Sequence, residues 1–213
     1  MEKKVVASLD LTDRENLLNL TKKIKNEIFA VKINWPTILS CGVDVISDLS
    51  QYARVICDLK IADIPNTNRM IMEIIRERGP FAVIAHSFQG MDSIKALMDA
   101  SESVKVIGVV SMSNQGASRY LNPLHDRILN DLKEVSVYGI IAPGNDYELL
   151  GEIAKNKDGL KIFSPGIGAQ GGSPVSALVN GADYVIIGRS IYNSTEPVNY
   201  VRTINEEIEK ISN

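Results

Sequence analysis

Residues 55–78 read VICDLKIADIPNTNRMIMEIIRER, and this stretch contains the unit from which the fold is built. Its first part, residues 55–59, is a short, largely apolar run, which is typical of a strand buried on both faces of a parallel sheet. Its last part, residues 68–78, places apolar side chains at helical intervals and predicts an amphipathic helix. A strand followed by a helix is the repeating unit of parallel-sheet proteins.

Similar units recur along the whole chain. Apolar runs predict eight strands, at residues 5–9, 30–33, 55–59, 82–85, 104–110, 139–142, 161–163 and 184–187. Amphipathic segments predict helices, among them residues 14–24, 68–78, 94–100, 147–155 and 199–211. Residue pairs typical of helix starts occur at Thr12-Asp13, Asn145-Asp146 and Ser173-Pro174.

The number and spacing of these units predict the fold. Eight units in 213 residues leave about 27 residues for each, which is enough for a βα repeat. No linker rich in Gly, Ser or Pro divides the chain, so the pattern favours an α/β fold, a single-domain (β/α)8 TIM barrel over residues 1–213. A doubly wound open sheet is the alternative, because strands are easily miscounted from a sequence.

Composition and charge exclude some classes of function. Hydrophobic residues make up 45% of the chain and charged residues 23%, and the formal net charge is −3. The sequence has no polybasic patch for nucleic acid or for an anionic membrane, and no apolar run approaches the roughly 20 residues that span a bilayer. Cys41 and Cys57 lack CxxC spacing and indicate free thiols in a reducing compartment. We therefore expect a cytoplasmic protein with neither a nucleic-acid nor a membrane partner.

Polar residues occur where a (β/α)8 barrel has its active site, at the carboxyl ends of the strands. They are Asp10, Lys32, Asp58, Lys60, His86, Ser111, Ser113, Gln170 and Arg189. Asp58 and Lys60 are two residues apart, so in a strand they point to the same face, and Lys32 on the neighbouring strand extends them to a Lys-Asp-Lys row. Charges in apolar strands are unfavourable unless they are paired. The row indicates either an active site or an ion-pair network that only fixes strand register.

Two glycine-containing loops predict a phosphate site. Residues 164–172 read SPGIGAQGG and contain a formal GxGxxG pattern, but the pattern follows the seventh strand and not the first βα turn of a dinucleotide-binding domain. Its glycines still let backbone N–H groups approach a phosphate. Gly188 and Arg189 follow the eighth strand, and the loops after strands seven and eight form the common phosphate site of these barrels. The alternative is a glycine turn with a surface arginine.

The histidines and one long loop give weaker indications of a functional site. His86 and His125 have neither HxH nor HExxH spacing, so we expect no metal site. We interpret His86 as structural, either satisfied by a backbone partner or packed near an interface. Residues 114–124 are polar and irregular, and they form either a closing lid or a tolerant surface loop.

Several segments together resemble the orotidine 5′-monophosphate decarboxylases, in the short archaeal form of that family. The first is Asp58-x-Lys60-x-x-Asp63-Ile64-Pro65-Asn66-Thr67. The others are Leu9-Asp10-Leu11, Val31-Lys32, Met112-Ser113, residues 165–172, and Gly188-Arg189-Ser190-Ile191-Tyr192. Related keto-sugar phosphate decarboxylases and hexulose-phosphate synthases share the DxKxxD pattern, whereas the IPNT and GAQGG segments point to the nucleotide decarboxylase.

The resemblance implies a homodimer that converts orotidine 5′-phosphate to UMP and CO2 with no metal or organic cofactor. It implies that Lys60 protonates C6 of the pyrimidine and that Asp58 lies near the leaving carboxylate. The other residues that it implies are Asp10 and Lys32 at the ribose, Ser113 and Gln170 at the base, Pro165 in the pocket wall, Gly188 and Arg189 at the phosphate, and Asp63, Ile64 and Thr67 in the partner's site.

Three other functions stay open on the residues alone. The first is a Schiff-base aldolase that uses Lys60 on a sugar phosphate. The second is a metal-dependent keto-sugar phosphate decarboxylase or synthase. The third is a non-catalytic nucleotide-binding barrel, against which the Asp58–Lys60 pair argues, because a binding protein has no need of an unfavourable row of charges.

Overall fold

The computed structural model describes residues 2–211, whose parallel strands form a closed barrel in chain order. The strands are β1 (Val5–Ser8), β2 (Ala30–Asn34), β3 (Val55–Ile61), β4 (Ala82–His86), β5 (Lys105–Val109), β6 (Gly139–Ile141), β7 (Lys161–Ser164) and β8 (Tyr184–Ile187). Each predicted strand overlaps one of them, and the predicted (β/α)8 barrel is confirmed. The doubly wound alternative is wrong, because β1 pairs with β8 and closes the sheet.

Helices follow the strands on the outside of the barrel. They are α1 (Arg14–Ile24), α2 (Trp35–Cys41), α3 (Val45–Ser50), α4 (Pro65–Arg76), α5 (Met91–Ala100), α6 (Ala117–Tyr120), α7 (His125–Glu134), α8 (Tyr147–Asn156), α9 (Pro174–Val179), α10 (Arg189–Tyr192) and α11 (Pro197–Ile211). Asp13, Asp146 and Ser173 cap α1, α8 and α9 by accepting backbone N–H groups, as their sequence patterns predict.

Several helix boundaries and one loop differ from the predictions. α4 begins at Pro65 and not at residue 68, because proline is well suited to the first turn of a helix. α5 begins at Met91 and not at residue 94. The expectation that residues 114–124 are irregular is wrong in part, since this segment contains α6 and a 3₁₀ helix (Asn122–Leu124).

The interior of the barrel is a packed core. Its buried side chains are Val6, Phe29, Ala30, Ile56, Ala82, Ile84, Ile107, Val109, Ile141, Phe163, Tyr184 and Ile186. A larger apolar cluster, which includes Leu17, Met72 and Leu97, lies between the strands and the helices. Each large aliphatic side chain buried in this way contributes about 1.5–3 kcal/mol to stability.

Aromatic rings fill the barrel at the amino ends of its strands. The ring centroids of Phe29 and Tyr184 are 4.1 Å apart, and those of Phe81 and Tyr138 are 5.6 Å apart. The Arg54 guanidinium lies over the Phe29 ring, 4.7 Å from its centroid. This packing fills the amino end, and the open space of the barrel is therefore at the carboxyl ends of the strands.

Candidate active site

A cavity of about 230 Å³ opens at the carboxyl ends of the barrel strands. Nine residues predicted from the sequence line it: Asp10, Lys32, Asp58, Lys60, Ser113, Pro165, Gln170, Gly188 and Arg189. Apolar side chains from the barrel interior, Ile84, Ile141 and Ile186, complete its lining on the inner side. Residues far apart in the sequence thus meet at the end of the barrel where active sites of this fold lie.

The predicted Lys-Asp-Lys row is present in the cavity wall. Lys32 Nζ lies 2.9 Å from Asp58 Oδ2, and Lys60 Nζ lies 2.5 Å from Asp58 Oδ1. The side chains of Lys32 and Asp58 are only 8% and 11% exposed. Burial opposes ionisation of Asp58, but the charges of Lys32 and Lys60 outweigh it and hold the pKa of this carboxyl below its ordinary value. Both carboxylate oxygens are therefore bound by ammonium groups.

Lys60 reaches the cavity from a bulge and not from a regular strand. The register between β3 and β4 shifts between Asp58 and Ile61, and Lys60 has a φ of 47°. Asp58 and Lys60 still share a face as predicted, because both line the cavity while Leu59 between them is buried in the outer apolar cluster. Trp35 Nε1 donates a hydrogen bond of 2.7 Å to the Leu59 carbonyl, which gives the bulged backbone a partner. Left-handed backbone at a residue with a side chain is strained and clusters at functional sites.

Asp10 is held by two polar neighbours, Ser8 and Asn34, that were not among the predicted site residues. Its Oδ1 accepts from Ser8 Oγ at 3.1 Å and from Asn34 Nδ2 at 3.0 Å. Ser8 lies two residues before Asp10, and Asn34 lies two residues after Lys32. Because alternate residues of a strand share a face, this spacing could have identified Ser8 and Asn34 as site residues from the sequence.

The loop after β7 covers one side of the cavity. Gly166, Gly168 and Gly171 all have positive φ, and Gly172 donates its N–H to the Gly166 carbonyl at 3.0 Å, which joins the two ends of the loop. A Cβ on Gly172 would lie 2.6 Å from that same carbonyl oxygen, so the close approach of the two ends requires glycine there.

Arg189 begins α10 beside this loop. Within residues 2–211 its guanidinium makes no hydrogen bond or ion pair, although it lines the cavity and is exposed. An unpaired guanidinium next to a glycine-rich loop is suited to bind an anionic group by two parallel hydrogen bonds.

A hydrogen bond joins the loop after β7 to the end of β5. Ser113 Oγ donates to Gln170 Oε1 at 3.0 Å, across 57 positions of sequence. Residues 165–170 contribute to the cavity lining, whereas residues 114–124 do not. The two alternatives for residues 114–124, a lid and a surface loop, both stay predictions.

Of the two structural alternatives for His86, a backbone partner for its ring is wrong for Nδ1, and packing near an interface stays a prediction. The His86 Nδ1 is buried and finds no hydrogen-bond partner in the described part of the chain. Burial, with the nearby Lys60 charge, lowers the pKa of the imidazole. The ring packs against Phe88 at a centroid distance of 5.0 Å.

Three predicted site residues lie outside the cavity of their own chain. Asp63, Ile64 and Thr67 lie where β3 leads into α4, and Ile64 is 66% exposed. Asp63 Oδ1 accepts the Ile64 N–H at 2.7 Å, and the Asp63 N–H donates to Asn68 Oδ1 at 3.1 Å. These bonds hold the exposed turn in one conformation.

Free thiols, but no cluster of metal ligands, occur among residues 2–211. Cys41 and Cys57 are both free, and burial with the neighbouring Asp58 charge raises the pKa of the Cys57 thiol to about 12. The described residues contain no group of three or more His, Cys, Asp or Glu placed to hold a metal ion. None of their helices combines the length and apolar character needed to cross a membrane.

Comparison with known families and proteins gives consistent matches. The model of the orotidine 5′-phosphate decarboxylase / HUMPS family matches residues 3–204. The orotidine 5′-phosphate decarboxylase of Thermoplasma acidophilum is 44% identical over 209 residues, which cover 98% of this chain and 97% of that protein. The enzyme of the same name from Pyrococcus furiosus is 43% identical over 212 residues, covering 98% and 99%.

Solved structures agree with these sequence matches. The crystal structure of orotidine 5′-phosphate decarboxylase from Pyrococcus horikoshii OT3 has a TM-score of 0.90 at 43% identity and covers 96% of this chain and 99% of that one. The Methanocaldococcus jannaschii orotidine 5′-monophosphate decarboxylase complexed with the inhibitor BMP has a TM-score of 0.92 at 35% identity, covering 98% and 99%.

Proposed function

The chain belongs to the orotidine 5′-phosphate decarboxylase / HUMPS family, and from that premise we propose that it converts orotidine 5′-phosphate to UMP and CO2 without a metal or organic cofactor. The observation that carries the proposal is the row of Lys32, Asp58 and Lys60 in the wall of a cavity that also holds the unpaired Arg189 guanidinium. The Arg189 guanidinium can bind a phosphate, and the ammonium groups of the row can stabilise negative charge that develops in a reaction.

The substrate binds with its phosphate at Gly188 and Arg189. Asp10, oriented by Ser8 and Asn34, accepts hydrogen bonds from the ribose hydroxyls, and Lys32 lies beside it. The remaining assignments are Ser113 and Gln170 at the pyrimidine and Pro165 in the pocket wall. The arrangement fixes C6 of the base near the charged row.

The chemical step breaks the bond between C6 and the carboxylate carbon. CO2 leaves and the electron pair stays on C6, where the Lys60 ammonium stabilises it and then donates a proton. The products are UMP, CO2 and a neutral Lys60 amine, which regains its proton from solvent. Asp58 holds Lys60 in place and repels the substrate carboxylate before it leaves. Binding energy from the distant phosphate lowers the barrier by holding the base in this position.

A homodimer with shared sites accounts for Asp63, Ile64 and Thr67, which do not line the cavity of their own chain. Thr67, Met70 and Ile74 are three or four residues apart and share one face of α4. Met70 and Ile74 are 55% and 53% exposed in the isolated chain. Neighbouring exposed apolar side chains of this kind mark contact surfaces. A two-fold contact through this face places Asp63 of one chain at the cavity of its partner.

The direct test is to follow the loss of orotidine 5′-phosphate absorbance with purified protein in the presence of EDTA. Cofactor-independent turnover to UMP is the expected result. Activity that requires added metal points to the keto-sugar phosphate enzymes, and a borohydride-trapped adduct on Lys60 with a sugar phosphate points to the aldolase. Nucleotide binding without turnover leaves a binding protein. The cytoplasmic location, inferred from the two free thiols, stays a prediction.

A further inference from the structure

Asn122 binds both backbone polar groups of Met112. Its Oδ1 accepts the Met112 N–H at 3.0 Å, and its Nδ2 donates to the Met112 carbonyl at 3.1 Å. The N–H groups of Val110 and Ser111 both donate to the Ile141 carbonyl on β6. Met112 is therefore the first residue beyond the hydrogen bonds that join this segment to β6. The amide of Asn122 thus takes the place of a neighbouring strand at this point.

We call the two hydrogen bonds between Asn122 and the Met112 backbone the clamp. The clamp acts next to the active site, because Met112 and the following Ser113 both line the cavity. Met112 lines the cavity, and Ser113 carries the hydroxyl that bonds to Gln170 at 3.0 Å. We propose that Asn122 is a positioning residue that sets the place of Ser113 at the pyrimidine. The inference rests on the proposed function. Asn122 is not among the residues that the proposed function assigns to catalysis or substrate binding.

Asn122 is itself held in place by its surroundings. Its own carbonyl lies 2.9 Å from His125 Nδ1, and because a carbonyl only accepts, Nδ1 carries the hydrogen. The preceding Leu121 packs against both apolar clusters, and Pro123 lies in the first turn of the 3₁₀ helix. A side chain anchored in this way transmits the position of the helical segment to the cavity wall.

The amide group is required because Met112 offers one donor and one acceptor. An aspartate of the same size accepts the Met112 N–H but, when ionised, has no hydrogen to donate to the carbonyl, and its charge repels that oxygen. Asn122→Asp therefore removes half of the clamp without removing volume, whereas Asn122→Ala removes all of it.

The test compares kcat/KM of these variants with that of a matched control. Asn205→Ala removes a buried amide on α11, away from the cavity, that also donates to a backbone carbonyl, that of Glu27 at 2.8 Å. After correction for the folded fraction, we expect Asn122→Ala and Asn122→Asp to lose about 10- to 100-fold in kcat/KM, as for a small misplacement of a binding group. Asn205→Ala should keep the wild-type value.

Two further readouts separate positioning from general stability. Inhibition by UMP should weaken in Asn122→Ala, while inhibition by ribose 5-phosphate, which lacks the base, should not change. In a Ser113→Ala background, the additional loss from Asn122→Ala should be much smaller, since the group that Asn122 positions is gone. Additive losses, or equal weakening of both inhibitors, overturn the inference.

The outcomes distinguish this inference from the proposed function. A wild-type protein that does not turn over orotidine 5′-phosphate refutes the proposed function. An active wild type with fully active Asn122→Ala and Asn122→Asp refutes the clamp alone. If both Asn122 variants fail to fold while Asn205→Ala folds, the role of Asn122 is structural, and the inference is likewise overturned.

Discussion

Lys60 Nζ lies 2.5 Å from Asp58 Oδ1 on a strand whose pairing with β4 shifts between Asp58 and Ile61. The other carboxylate oxygen of Asp58 binds Lys32, so the carboxylate cannot turn away from Lys60 without losing an ion pair. The bulge and the two ion pairs together hold the Lys60 ammonium at one place in the cavity. Such preorganised charge requires no rearrangement when negative charge develops in a reaction.

Replacing Lys60 by Ala should abolish turnover and leave the fold intact. In the proposed mechanism Lys60 is both the proton donor and the cation nearest the reacting carbon, and a general acid alone contributes at least about 100-fold. Asp58 keeps its ion pair with Lys32, so thermal unfolding should stay cooperative. The control is Lys133→Ala, which removes an ion pair to Asp158 outside the cavity. More than about a tenth of the wild-type rate in Lys60→Ala contradicts the assigned role.

Replacing Arg189 by Ala should raise KM and also lower kcat. In the proposed binding mode the phosphate lies away from the reacting carbon, and its binding energy is used to position the base. Steady-state kinetics with orotidine 5′-phosphate and with orotidine measure the effect, and the preference for the phosphorylated substrate should largely disappear. The matched control is Arg202→Ala on α11, whose guanidinium pairs with Glu27. If Arg189→Ala keeps the wild-type preference, Arg189 does not bind the phosphate.

Subunit exchange tests whether Asp63 acts in the partner's site. Lys60→Ala and Asp63→Ala homodimers should each be nearly inactive, but a mixed dimer contains one site with neither substitution. Random exchange makes half of the dimers mixed, so roughly a quarter of all sites should recover activity. Lys60→Ala mixed with Asp58→Ala should not recover, since both substitutions affect the same site. A first mixture that stays inactive despite proven exchange means that Asp63 acts within its own chain.

Asp183 should stabilise the barrel in a pH-dependent way. It accepts the Ile162 N–H at 2.9 Å, pairs with Lys157 and lies 3.5 Å from Lys161 Nζ. Burial opposes its ionisation, but the bonds from Lys157 and Ile162 and the lysine charges outweigh it and lower the pKa of the carboxyl. The stabilisation is therefore complete above the unfolded-state pKa of about 3.9 and is lost as the pH falls through the lower folded-state value.

Urea unfolding of Asp183→Asn measures this effect. At pH 7 the variant should be about 1–3 kcal/mol less stable than the wild type, as for loss of hydrogen bonds to a charged group. The difference should shrink steadily below pH 4. The control, Asp158→Asn, removes a largely exposed partner of Lys133 and should change stability by about 0–1 kcal/mol. A difference for Asp183→Asn that does not change with pH contradicts the assignment.

Local patterns in the sequence predicted the architecture and most of the cavity lining. The strands are short apolar runs because both of their faces are buried, and Asp13, Asp146 and Ser173 cap helices through contacts only three residues away. Asp10, Lys32 and Arg189 reach the cavity because every strand of a closed parallel barrel delivers its carboxyl end to the same rim.

The tertiary structure alone decided how those residues meet. The bulge at Lys60 depends on the register between β3 and β4, and the bond between Ser113 and Gln170 joins loops 57 residues apart. The clamp of Asn122 on Met112 depends on where the segment after β5 packs against the barrel. Apolar periodicity reports only which side of a strand or helix is buried. Register, loop conformation and side-chain hydrogen bonds follow from packing among distant segments, which no local pattern encodes.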